Sequence, residues 1–239
     1  MTEVSEPGPV TGRPVGVQVD ATPAHRPGPV TLSGRYGRVE RLAQHHEADL
    51  WTGVNGHDDI WTYMSYGPFA DLPAFSEWVA DRVKLDDPYS YVIIDRAGQA
   101  VGIATLMEIR PAMRVIEVGN IVYSPALQHT PLGTEVQYLL ARYAFEALGY
   151  RRYEWKCNAL NAPSRRAALR YGFVFEGVLR QHMIAKERNR DTAYYSMLDS
   201  EWPARKAAFE RWLAPENFDA DGKQRASLSA LNAARELSG

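Results

Sequence analysis

Leu127 to Tyr150 reads LQHTPLGTEVQYLLARYAFEALGY, a short polar loop running straight into the most regularly patterned stretch of the chain. Val136, Leu139, Leu140, Tyr143, Ala144 and Leu148 recur at the spacing of one buried helical face, and Gly149 stops the pattern. Thr130 is placed to cap that helix and Pro131 to open it. A helix start leaves unpaired N–H groups and a dipole that favours negative charge. Leu132, Gly133 and Thr134 are therefore expected to present their amides outward, with Gly133 admitting close approach of a ligand. Such a junction is either a phosphate or pyrophosphate cradle or an ordinary strand-to-helix connection. The surrounding sequence has to decide.

Working outward, VIEVGNIVY before the loop reads as a strand, and SYVIID and AVGIATLMEI before it as a strand pair around RAGQ. Further upstream, GRYGRVERL suits a first strand and HHEADLWTGV a short helix. DDIWTYMSYGPF is loop-like and aromatic, and LPAFSEWVADRV is helical, with Phe75, Trp78, Val79 and Val83 on one side. Downstream, RRYEWKC alternates Tyr153, Trp155 and Cys157 inward as a strand. NAPSRRAALRYG is a short helix with Asn161 as cap and Gly172 at its end. FVFEGVLRQHMIA and DTAYYSML form a long hairpin around KERNRD, and SEWPARKAAFERWL closes the dense region as a helix.

Of the 15 prolines, six fall in the first 29 residues, which reads as a flexible tail, 1–29. A dense domain follows over 30–204, and a helical extension over 205–239. In that extension Leu228, Leu231 and Leu237 share a face suited to docking on the domain or on a second subunit. The 239 residues are 45% hydrophobic and 23% charged, with a formal charge of -2, which gives no global pull toward nucleic acid or anionic membrane. No apolar run is long enough to span a bilayer, and no secretory signal is visible, so a cytoplasmic location is expected. The lone Cys157 excludes an internal disulfide and Cys-rich zinc sites, and no metal is expected. His45 and His46 lack a second ligand pair at metal spacing and are expected to face solvent.

Three stretches, IEVGNIVYSPALQHTPLGTE, NALNAPSRRAALRYGFVFEGVLRQHMI and RDTAYYSMLDSEW, make the chain from about Val30 to Pro203 resemble the GNAT superfamily of acyl-CoA-dependent N-acetyltransferases, in its RimJ/RimL-like branch. The resemblance implies an α+β fold: a mostly antiparallel twisted sheet of about seven strands, flanked by helices and splayed at its middle strands. It implies acetyl-CoA as co-substrate, an amine acceptor (a protein N-terminus or a small molecule) and a possible homodimer. By the same match Gln128, Thr130, Leu132, Gly133 and Thr134 would hold the pyrophosphate, and the main chain of Ile121, Val122 and Tyr123 the pantetheine arm. The amide near Val122 would polarise the thioester carbonyl. Pro131 stands where the family has its central glycine, so one N–H donor is lost.

Transfer of an acetyl group to an amine needs a proton acceptor and a proton for the leaving thiolate. Glu117 matches the family's acidic residue. It is either the base, with its pKa raised by burial, or a strand glutamate paired with Arg114 or Arg152. Ala168 stands where many relatives carry the acid tyrosine, which leaves Ser164 either to serve the thiol or to cap its helix. Asn161 would bond the pantetheine amides or serve as a plain cap. Arg166 would meet the nucleotide 3′-phosphate, with Arg165 and Arg170 beside it, or join them on a solvated face. Trp61, Tyr63 and Tyr66, with Phe69, would wall the acceptor pocket or pack as a satellite core. His182 and Asp191 would touch the acceptor or pin the terminal hairpin. Two rivals are an acyl-CoA-binding or partner-binding module without turnover, and a nucleic-acid binder using the scattered arginines, whose charge the acids balance.

Overall fold

A computed structural model describes residues 5–236 of the chain. Eight strands form one sheet: β3 (Leu32–Ser33), β4 (Gly37–Arg41), β5 (Tyr89–Asp95), β6 (Ala100–Arg110), β7 (Val115–Tyr123), β8 (Arg152–Asn158), β9 (Val174–Ala185) and β10 (Arg188–Leu198), in the order β3-β4-β5-β6-β7-β8-β10-β9. The strand beyond the expected seven is the two-residue β3. All pairings are antiparallel except β7 with β8. A parallel pair needs a crossover, which here is the helix of the opening stretch, α3 (Pro131–Arg142), ended by a wide π-type turn over Tyr143–Ala147.

Alternation along the strands builds a core on each face. Tyr91 and Ile93 of β5 join the side covered by α3, while Val92 and Ile94 join α1 (Glu47–Val54) and α2 (Leu72–Lys84) on the other. The expected apolar stripe of α3 is buried, and so is every other residue from Leu132 to Ala141. The reason is α5 (Trp202–Leu213), which packs over its outer side and brings Phe209 and Trp202 against Tyr138. Even Glu135 is buried, with its carboxylate accepting from the amides of Arg35 (2.6 Å) and Tyr36 (2.7 Å). Gly34 is required there, since a Cβ would lie 2.2 Å from that carboxyl carbon.

The segment before the sheet is held more closely than expected, and the C-terminal helix takes one of its two expected positions. Short strands β1 (Ser5–Pro7) and β2 (Pro14–Gly16) pair with each other apart from the main sheet. From Ala24 the segment is tied to the domain: Ala24 N donates to Pro111 O, His25 N to Leu148 O, and the Tyr91 hydroxyl to Gly28 O. The expected flexible tail over 1–29 therefore does not extend to its last residues. At the other end, α6 (Leu228–Glu236) docks on its own domain, burying Leu228 and Leu231 and bonding Asn232 Nδ2 to Arg170 O; Leu237 lies outside the described residues. His46, expected to face solvent, is buried. Its Nδ1 accepts from Ala43 N at 3.1 Å, its Nε2 stands 3.4 Å from Glu40, and burial pulls its pKa down. Among the described residues no helix is long and apolar enough to cross a membrane.

Candidate active site

The parallel pairing of β7 and β8 runs from Val115–Arg152 to Val118–Trp155 and then stops, while both strands continue. Past that point no pairing joins Gly119–Tyr123 to Lys156–Asn158, so the sheet is split between them. A bulge against β6 and a positive φ of 48° at Asn120 bend β7 away. Ser124 N bonds Val101 O, so by two-residue alternation Val122 directs its main chain to Ile103 of β6. The groups of Ile121 and Tyr123 face the open side. The expected donor at Val122 is therefore committed to the sheet, and the open edge belongs to its neighbours, although the Tyr123 carbonyl already accepts from Gln128.

Glu117 sits just before the split, paired across to Glu154. It is 5% exposed and bonds Lys156 Nζ at 2.9 Å, in place of the expected Arg114 or Arg152. Burial drives its pKa up to about 7, against the pull of the Lys156 charge. Glu154 is held by Arg110 (2.7 Å) and Arg152 (2.7 Å) as well as Lys156 (3.2 Å). For that carboxyl burial acts upward, but these partners outweigh it and hold it below the usual range. Lys156 also lies over the Tyr194 ring at 4.8 Å. Sequence reasoning missed Lys156 because RRYEWKC was read for its inward Tyr, Trp and Cys. The signal was there: in a parallel register its alternate positions share the face of Glu117.

At the loop, Thr130 caps α3 as expected, its hydroxyl accepting from Gly133 N (3.2 Å) and donating to Leu127 O (2.7 Å). The Gly133 amide is thus taken, correcting the expectation that it points outward. Thr134 is buried and its hydroxyl accepts from Arg170 (3.0 Å). Gln128 folds back to donate to Tyr123 O (3.0 Å). Among the described residues the amides of His129, with φ 61°, and Leu132 form no internal bond. A cavity of about 390 Å³ lies against this loop, lined by Ala126, Leu127, Thr130, Pro131 and Leu132, with Arg96 at its side. A wider one of about 600 Å³ lies behind α3 among Glu135, Arg142 and Glu210, on another part of the molecule. The free amides suit an anionic group and the unpaired strand edge an extended chain; the cavity, which Asp95 also lines, touches the loop and not that edge.

Helix α4 (Ala162–Arg170) follows β8. Asn161 Oδ1 caps Ser164 N (3.1 Å), and Ser164 Oγ accepts from the Trp155 indole N–H (3.0 Å). The same hydroxyl is hydrogen-bonded to the Cys157 sulfur. Arg165 is engaged with the Tyr195 hydroxyl and Arg170 with Thr134, which leaves Arg166 exposed. Cys157 is buried and burial raises its thiol pKa, as an inert core thiol requires.

The aromatic loop divides. Trp61 is 2% exposed and packs with Tyr66, Phe69 and Trp78, so these rings form a satellite core, not an open wall. Tyr63 is half-buried. Lys186, at the tip of the β9–β10 hairpin, donates to Trp61 O (2.8 Å) and bridges hairpin and loop. His182 bonds Thr192 and Asp191 accepts from Gln181 N and Asn189, so both pin the hairpin. Among the described residues no group of three or more His, Cys, Asp or Glu side chains could hold a metal ion.

Residues 39–174 match the family model described as an acetyltransferase (GNAT) domain. No curated protein matches the chain. A solved GCN5-related N-acetyltransferase from Brucella melitensis is 45% identical over 90% of this chain and 99% of its own, with a TM-score of 0.88. A protein assigned to the GNAT acetyltransferases from Chromobacterium violaceum ATCC 12472 is 40% identical over 82% of this chain and 100% of its own, at 0.75. One assigned as a ribosomal-protein-serine acetyltransferase from Vibrio cholerae shares the fold, at 16% identity over 71% of this chain and 97% of its own, and a TM-score of 0.61.

Proposed function

Because the chain belongs to the GNAT acetyltransferase family, in its RimJ/RimL-like branch, we propose that it moves an acetyl group from acetyl-CoA to a primary amine by direct attack, with Glu117 as base. The observation that carries this reading is a buried carboxyl with a pKa near neutrality, set at the point where the sheet opens. Acetyl-CoA supplies the acetyl group as a thioester. The free edge at Ile121 and Tyr123 would line up its arm as an added strand, and the amides of His129 and Leu132 would meet the pyrophosphate. Arg166 is the cation left to meet the nucleotide 3′-phosphate.

Glu117 accepts the proton of the attacking nitrogen as the new C–N bond forms. The C–S bond then breaks, and Ser164 donates a hydrogen bond to the departing sulfur. Tyr63, His182 and the hairpin tip border the acceptor side. The Vibrio cholerae protein's assigned role makes peptides with an N-terminal serine the first acceptors to try, ahead of polyamines and amino sugars.

Calorimetry with acetyl-CoA, followed by a thiol-release assay over these amine classes, tests the proposal. Saturable binding with thiol release for at least one class is expected. Binding without release on every amine would make the chain an acyl-CoA-binding module.

A further inference from the structure

Lys156 has no part in the proton transfer described above, yet it is placed where that transfer would be controlled. Its side chain is 12% exposed, and its ammonium lies 2.9 Å from Glu117 and 3.2 Å from Glu154, with the Tyr194 ring beneath it. The two carboxylates differ in what else holds them. Glu154 is bonded by Arg110 and Arg152, while among the described residues Glu117 has no cation but Lys156. We propose that Lys156 is a positioning residue that keeps the Glu117 carboxylate ionised and aimed along the open edge of β7, with Glu154 as the anchor that fixes the ammonium.

The chemistry follows from which charges face Glu117. From β6 comes Glu108, from β8 Glu154 and Lys156; Tyr194 of β10 faces the ammonium. Burial and the two neighbouring carboxylates all favour the protonated acid, which cannot accept a proton from the amine. Lys156 alone opposes them. The ammonium itself stays charged, because the two carboxylates outweigh the burial that would strip it. It therefore donates no proton during turnover and acts through Glu117. Arg152 and Arg110 matter indirectly: by holding Glu154 they keep Lys156 from being drawn wholly to one side.

This inference rests on Glu117 being the base, and its test is chosen to stand apart from that reading. In the full-length chain, the carboxyl carbon resonance of Glu117 is followed through the neutral pH range and assigned by its loss in Glu117→Gln. Lys156→Met should move the titration midpoint up by about one to three pH units, the range for an opposite charge at this distance. Lys156→Arg should keep it near wild type. Lys156→Gln, which also removes the charge but keeps a polar end, should move it up as well and covers the case in which Lys156→Met does not fold. A midpoint unmoved in folded Lys156→Met or Lys156→Gln overturns the inference. If instead Glu117→Gln turns over like wild type, the base reading fails while the titration result stands, so the two failures are told apart.

Discussion

Replacing Glu117 by Gln probes the mechanism most directly, because the amide keeps the side chain's shape and an oxygen for Lys156 while removing the basic site. A general base contributes roughly 10²- to 10⁴-fold, so kcat should fall by that factor on the alkaline side of neutrality. The Michaelis constant for acetyl-CoA should hold, since Glu117 lies ahead of the split and away from the loop at 127–132. The pH dependence sharpens the expectation. With a pKa of about 7, half of the wild-type carboxyl is ionised at that pH and only about a tenth one unit lower. Dividing wild-type by variant rates cancels the ionisation of the acceptor amine, which both enzymes share. That ratio should climb close to tenfold per pH unit below neutrality and level off above it. The assay is stopped-flow or continuous thiol release with one amine across the range. A ratio independent of pH, or a variant as fast as wild type, would refute the role of Glu117.

Three further substitutions address other parts of the site. Thr130→Ala removes the cap on Gly133 and the tie to Leu127, and should cost about 1 kcal/mol of stability, a fall in Tm of roughly 2–4 °C by calorimetry. It should also raise the Michaelis constant for acetyl-CoA but not for the acceptor. Glu135→Ala removes the acceptor of the Arg35 and Tyr36 amides and should cost about 1–2 kcal/mol, or roughly 2–8 °C in Tm, with little change in kcat per folded molecule. Ser164→Ala should lower kcat several-fold at constant acetyl-CoA affinity; an equal loss in both would place the hydroxyl in binding and not in thiol departure.

The architecture was legible wherever one period dominated. The 3.6-residue stripe from Val136 to Leu148 and the alternation in SYVIID and RRYEWKC both mark elements that exist, with bounds close to those expected. What stayed hidden depended on contacts between distant segments. Glu135 looks like a solvent-facing helix residue until the chain near Arg35 crosses it. Trp61 looks like a pocket wall until Phe69 and Trp78 close around it. His46 looks exposed until Glu40 and Ala43 receive it. In the site, Glu117 could be named from the family resemblance, but its partner could not, because which cation meets it depends on the register of a strand that returns only after α3. The same register decides that Val122 faces β6.

The two departures from the family pattern bear differently on the site. Pro131 has no N–H to offer a pyrophosphate, but it occupies the first helical position, where that donor has no partner within the helix in any case. Its ring fixes the entry angle, and Thr130 locks the same turn through Gly133 and Leu127. The loop therefore exchanges one donor for rigidity in the others, His129 and Leu132. Ala168 is a deeper change. It is fully buried on α4, and α6 holds the end of that helix through Asn232 and Arg170. A phenol could not enter at that position without displacing the core around it. The hydroxyl remaining on this helix is Ser164; the Trp155 indole fills one of its acceptor sites, and its O–H, bonded to Cys157 at rest, would have to turn to the departing sulfur. A serine is far too weak an acid to protonate a thiolate outright, so its help would be a hydrogen bond to developing negative charge on sulfur. A thiolate leaves more readily than an alkoxide because its conjugate acid has a pKa near that of cysteine, about 8.5. Such a group can depart at neutral pH with hydrogen-bond support alone, so the loss of the tyrosine is compatible with turnover.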